Sequence, residues 1–108
     1  MNIRKVDLPR KTISQLISLF SAYPEIERVV IFGSRALGNA KAGSDVDLAF
    51  SGKNLSFHLV GKIQTYLEEE TLLPYFFDCV HLGSTQNTAL LEHIKNYGID
   101  IYNSKIVR

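Results

Sequence analysis

Cysteine is almost missing from this chain: Cys79 is the single one in 108 residues. No intrachain disulfide can form, which fits a reducing cytosol. The three histidines, His58, His81 and His93, are scattered and give no zinc-type spacing with that cysteine. Each reads as a structural or surface residue. An excess of one charge is missing too. Twelve basic and eleven acidic residues leave a net charge of +1. A nucleic-acid binder driven by electrostatics is usually more basic, so no direct nucleic-acid binding is expected. The basic cluster Arg4, Lys5, Arg10 and Lys11 reads as a solvated helix start. No apolar run is long enough to cross a membrane. The N-terminus is basic, but Ile13 to Phe20 is broken by Ser14, Gln15 and Ser18, so that stretch reads as an amphipathic helix, not a signal-peptide core. The expected compartment is the cytoplasm. Repeats, low-complexity tracts and interdomain linkers are also lacking, and residues 1–108 read as one domain.

The apolar content of 45% is ordinary for a globular protein. A chain of this length buries about 60–65% of its unfolded surface, so a real core is expected. The first element is a helix beginning near Pro9, a residue suited to a first turn. Ile13, Leu16, Ile17 and Phe20 form its apolar stripe, and Pro24 ends it. Val29-Val30-Ile31-Phe32 is a short continuous apolar strand, of the kind buried on both faces. Gly33-Ser34 stops it, Arg35 to Gly38 makes one helical turn, and Asn39 to Gly43 is a loop. Asp45 to Phe50 is a second strand, with Val46, Leu48 and Phe50 on one face. After the turn Ser51-Gly52-Lys53-Asn54, either Asn54 or Ser56 caps a helix reaching Glu70, whose Leu59, Val60, Ile63 and Leu67 face a core. Glu68-Glu69-Glu70 reads as its solvated end. Tyr75 to Leu82 is a third strand, Thr88 to Tyr97 a helix with Gly98 as its C-terminal cap, and Ile99 to Tyr102 a final strand. The order α-β-β-α-β-α-β is a mixed α/β single domain.

Three places in this pattern carry chemistry. Asp45 and Asp47 lie on one face of a strand, where aspartate is depleted and like charges repel. A cation between them would explain the pair, since carboxylates are natural ligands of Mg²⁺. A polar, solvated edge-strand face is the alternative. Gly33-Ser34 ends a buried strand and opens a helical turn, which points backbone N–H groups at one spot and suits a phosphate. Gly33 allows close approach, the Ser34 hydroxyl adds a donor, and Arg35 can add positive charge. Ser34 as an ordinary helix N-cap is the alternative. No Gly-Lys-Ser/Thr follows, so this is not a P-loop, and no Gly-x-Gly-x-x-Gly follows the strand. Asp78 stands within the apolar Phe76-Phe77-Asp78-Cys79-Val80, where a buried, unpaired carboxylate would be costly. If its strand lies beside the second, Asp78 joins Asp45 and Asp47 and three carboxylates can hold two cations. Otherwise Asp78 is held by a salt bridge to a lysine or arginine.

Gly33-Ser34-Arg35-Ala36-Leu37-Gly38 followed by Ser44-Asp45-Val46-Asp47-Leu48 resembles the signature of the DNA polymerase β nucleotidyltransferase superfamily, in its minimal nucleotidyltransferase (MNT) branch. The resemblance covers nearly the whole chain. It implies a small mixed sheet flanked by helices, a nucleotide site formed by Gly33, Ser34, Arg35 and Ser44, and two Mg²⁺ held by Asp45 and Asp47. Asp78 matches the third carboxylate, which completes one metal site and helps activate the acceptor hydroxyl. The implied reaction is attack of a hydroxyl on the α-phosphorus of ATP or another nucleoside triphosphate, with pyrophosphate leaving. Leu37 stands where many relatives carry arginine, and Lys41-Ala42-Gly43 where many carry Arg-Pro. These departures surround the triphosphate and leave the carboxylates intact. About 30 residues follow Asp78, too few for an acceptor site beside the last helix and strand. The acceptor site is therefore expected on a partner or on another copy of the chain. The resemblance implies an all-helical HEPN-type partner, modified with AMP within a toxin–antitoxin pair. The alternative is a non-catalytic antitoxin subunit that binds nucleotide or partner and neutralises by contact.

Overall fold

The computed structural model describes residues 3–107. A 3₁₀ turn at Ile3–Lys5 precedes α1 (Arg10–Ser21), β1 (Arg28–Phe32), α2 (Ser34–Leu37), β2 (Val46–Ser51), α3 (Phe57–Glu69), β3 (Phe77–His81), α4 (Thr88–Tyr97), β4 (Ile99–Asn103) and α5 (Ser104–Val107), with a second 3₁₀ turn at Leu82–Ser84. The expected elements are present, with shifted ends. Asp45 falls just before β2. Tyr75 and Phe76 precede β3 and Leu82 follows it, so that strand is shorter than expected. Ser56, not Asn54, caps α3, its hydroxyl accepting from Leu59 N at 3.1 Å. Asn87 caps α4 in the same way, through Leu90 N at 3.1 Å.

The strands form one sheet in the order β3-β2-β1-β4. β1 is antiparallel to β2 and to β4, whereas β2 and β3 run parallel. A register shift at Val29/Val30 marks a bulge against β4. It lets Ile99, Ile101 and Tyr102 all join the main core.

Side chains alternate along the strands and divide the core between two faces. Val29, Ile31, Val46, Leu48, Phe50 and Phe77 pack under α1 (Ile13, Leu16, Phe20) and α3 (Val60, Ile63, Leu67). Phe20 meets Phe50 and Tyr102 edge to face, with ring centroids 5.4 and 6.0 Å apart. The opposite face is covered more thinly. Val30, Phe32 and Ala49 pack against Ile94 of α4, with Val80, Leu82 and Leu90 beside them. Gly98 lets α4 sit this close. Gly98 is the C-terminal cap of α4, as expected, its N–H donating to the Ile94 carbonyl at 2.8 Å, with an extended φ of −68° rather than a left-handed one. A Cβ at that position would collide with the Ile94 carbonyl and a Val30 methyl, and close packing is the reason for the glycine.

β3 is an edge strand, yet two of its outward N–H groups are taken up by side chains. Phe77 N donates to Glu68 Oε2 at 2.8 Å and Cys79 N to Gln64 Oε1 at 2.9 Å. Two side chains one turn apart on α3 thus clamp the strand and cover the first part of its edge. Glu68, expected in a solvated helix end, is part of this clamp.

Candidate functional site

The sheet register builds the site. Phe32 of β1 pairs with Asp47 of β2, and Asp47 pairs with Asp78 of β3. These three residues form a row across neighbouring strands, about 4.8 Å from one strand to the next. Paired residues share a face, so the Asp47 and Asp78 carboxylates stand side by side on the thinly covered side of the sheet. Asp45 lies two residues before Asp47 and is exposed. Its charge is felt at Asp47, as is that of Asp78. The register thus sets Asp47 beside Asp78, while Asp45, just before β2, is near enough for its charge to act on Asp47.

Asp78 is exposed rather than buried, because β3 is the edge strand. Among the described residues it makes no ion pair, so the salt-bridge alternative is not realised; Arg28 and Asp100, at 2.7 Å, form the ion pair found there. The electrostatic burden falls on Asp47 instead. Loss of water, then repulsion from Asp78 and Asp45, pushes its carboxyl up to about 6, against an ordinary 3.8, while His93 pulls the other way.

Gly33 adjoins this row. Its φ is +71° and its ψ −152°, a conformation open to glycine. A Cβ there would also run into Asp47 Oδ2. The turn and the carboxylate are thus packed in direct contact. Gly33, not Ser34, is the cap of α2, and no side chain caps that helix. The Ser34 hydroxyl has no hydrogen-bond partner among the described residues, which leaves it able to meet a ligand.

Arg35 is used differently from what its place in the motif suggests. The side chain is buried. One terminal nitrogen donates to the Asp7 carbonyl and the other to the Ser44 carbonyl, each at 2.9 Å. Its guanidinium lies over the Tyr75 ring at 4.9 Å. Arg35 holds three segments together instead of pointing its charge at the carboxylates. Ser44 is likewise engaged: its hydroxyl accepts from Lys41 N at 2.8 Å and closes the turn before Asp45. The residues that sequence reasoning missed are Gln64 and Glu68, which fix the strand carrying Asp78, and His93. None has a local motif to betray it.

Among the described residues, no group of three or more His, Cys, Asp or Glu side chains is arranged to hold a metal ion. Hard Mg²⁺ does not need such a cage; it commonly takes one or two carboxylates and fills its remaining positions with substrate phosphates and water. Two surface hollows, of about 530 Å³ beside Tyr97 and about 670 Å³ beside His81, are lined by none of the three aspartates. The carboxylate row is an open shelf. Cys79 offers no nucleophile, since burial pushes its thiol up and keeps it protonated.

Residues 14–106 match the family model described as polymerase beta nucleotidyltransferase. The chain belongs to that family. Solved structures agree on the fold of this nucleotidyltransferase. One is a toxin–antitoxin complex with AMP-PNP, 23% identical, with a TM-score of 0.69 over 89% of this chain and 74% of that one. A second is a tri-AMPylated Shewanella oneidensis HEPN toxin in complex with an MNT antitoxin, 19% identical, with a TM-score of 0.68 over 89% and 73%. A third, the toxin–antitoxin MntA-HepT, is 19% identical, with a TM-score of 0.69 over 90% and 74%. A comparison with curated proteins found no match. No helix among the described residues is long and apolar enough to cross a membrane.

Proposed function

We propose that this chain is a Mg²⁺-dependent nucleotidyltransferase of the MNT branch, which transfers AMP from ATP to a hydroxyl of a HEPN-type protein as the antitoxin of a toxin–antitoxin pair. The observation that carries this reading is the register Phe32–Asp47–Asp78, which sets two carboxylates side by side against the Gly33 turn. Carboxylate pairs this close repel unless a cation or a proton separates them. Asp45, Asp47 and Asp78 are the residues that would hold the magnesium ions, and their all-oxygen donor chemistry fits a hard cation. Bound magnesium would neutralise charge developing on the phosphates.

The chain's own groups then have separate tasks. The Gly33 backbone and the Ser34 hydroxyl receive the triphosphate. Asp78, exposed and without an ion pair among the described residues, takes the proton of the acceptor hydroxyl in this reading. The acceptor oxygen forms a bond to the α-phosphorus as the α–β P–O bond breaks, and pyrophosphate leaves with the electron pair. Arg35 and Ser44 serve the site by holding the segment that carries Asp45. The acceptor side is open, so the partner, or a second copy of the chain, completes it. A cytoplasmic location belongs to the same reading.

The second reading, neutralisation by contact without turnover, draws support from exposed apolar residues near β3. Phe57 is 74% exposed and Phe76 72%. One experiment separates the two. The chain and its HEPN-type partner are incubated with labelled ATP and Mg²⁺. Label on the partner that is lost with Asp45→Asn supports transfer. A partner still neutralised by Asp45→Asn, with no label on it in either case, overturns the enzymatic reading.

A further inference from the structure

The Gly33–Ser34 turn lacks the cation that its sequence promised, because Arg35 is committed to the carbonyls of Asp7 and Ser44. A triphosphate carries several negative charges, and a site made of three carboxylates needs donors for them. The structure supplies one from another element. His93 lies on α4, the helix packed on the same face as the carboxylate row. Its ring is in edge contact with Phe32, centroids 6.1 Å apart, and Phe32 immediately precedes Gly33. Tyr97, one turn on, flanks it at 5.4 Å. Aromatic neighbours thus hold the ring from two sides, and what it has left to offer is its nitrogens. These make no hydrogen bond among the described residues, although the ring is half-buried. Of the charged groups that shift Asp47, His93 alone is basic.

We propose that His93 is a nucleotide-binding residue of this site, donating an imidazole N–H to the β,γ-phosphate end of the bound triphosphate. The inference rests on the nucleotidyltransferase reading and assigns a contact within it. Imidazole keeps at least one N–H donor in either protonation state, so the contact does not depend on its charge. The turn beside Phe32 is where the phosphates lie in that reading, which favours a phosphate contact over a base contact.

The test compares two replacements by titrating Mg-ATP and Mg-AMP into the purified protein. His93→Gln keeps a donor at similar reach, and His93→Phe keeps the ring without a donor. A hydrogen bond to a charged group implies a loss of roughly tenfold or more in Mg-ATP affinity for His93→Phe. His93→Gln stays within about threefold of wild type, and Mg-AMP, which lacks the outer phosphates, binds both variants like wild type. Wild-type Mg-ATP affinity in His93→Phe, or an equal loss for Mg-AMP, overturns the assignment. Wild-type protein that binds no Mg-ATP overturns the nucleotidyltransferase reading and this contact with it. A measurement without substitution guards against misfolded variants. In the ¹⁵N spectrum of the histidine rings, Mg-ATP shifts His93 but not His58 or His81, whereas Mg-AMP leaves all three in place. An unmoved His93 signal with Mg-ATP bound overturns the inference.

Discussion

Asp47 has lost part of its water and feels the charges of Asp78 and Asp45, so its ionised form is disfavoured in the fold. The folded carboxyl titrates near 6 and the unfolded one near 3.8. A raised acid stabilises the fold fully below the unfolded value, and that contribution is lost as pH rises through the folded one. Solvent still reaches and screens this group, so the loss at neutral pH is about 1 kcal/mol. Asp47→Asn is therefore expected to melt higher than wild type at pH 7.5, with the gap closing at pH 4, while nucleotide transfer is abolished. Thermal melts at the two pH values check this; an equal gap at both, or a less stable variant at pH 7.5, would contradict it. Gly33 makes the opposite case. At φ +71°, and with Asp47 Oδ2 where a Cβ would go, Gly33→Ala should cost about 1–3 kcal/mol and also displace the carboxylate. Denaturant unfolding and Mg-ATP titration should both register it. A variant with wild-type stability would show that the turn relaxes at no cost.

At the scale of elements, β3 depends on α3 for more than packing. Gln64 and Glu68 accept from two of the outward N–H groups that a parallel edge strand leaves over, those of Cys79 and Phe77. Gln64→Ala removes one acceptor, at a cost of about 1 kcal/mol. Its larger effect should be on transfer, since the strand it steadies carries Asp78. A clear fall in turnover beside a drop of about 4 °C in melting temperature is the expected pattern, and unaltered turnover would dissociate the clamp from the site. The elements themselves were readable from local pattern. The stripe Ile13, Leu16, Phe20, the run Val29–Phe32 and the alternation Val46, Leu48, Phe50 state their periods within the window that forms them. The clamp was not readable, because Glu68 in a run of three glutamates looks solvated until β3 is known to lie alongside. Asp78 illustrates the same limit. Its place in an apolar run suggested burial, but only strand order reveals that β3 is at an edge and the carboxylate exposed.

For the whole molecule, distant segments meet at Arg35. Its nitrogens bind the chain at Asp7 and at Ser44, its ring contact is with Tyr75, and Asp7 N in turn donates to the Arg35 carbonyl at 2.7 Å. The segments so joined lead into α1, β2 and β3, the last two carrying the carboxylates. The position within Gly33-Ser34-Arg35 suggests a phosphate ligand, and no local signal distinguishes that role from a structural one. The distinction lies in contacts 9 and 28 residues away in sequence. The guanidinium fork reaches both carbonyls at once, which an ammonium cannot reproduce. Arg35→Lys should therefore fail to rescue Arg35→Ala, and both should lose about 2–4 kcal/mol, since the buried guanidinium's packing on Tyr75 and its two bonds to the Asp7 and Ser44 carbonyls are lost together. Mg-ATP affinity should fall with stability in both variants, because the Ser44–Asp45 segment is released. A direct phosphate ligand predicts the reverse pattern: lysine, still a cation, would restore binding, and neither substitution would unfold the protein. Denaturant unfolding and Mg-ATP titration of the two variants together decide between an arginine that holds the site and one that is part of it.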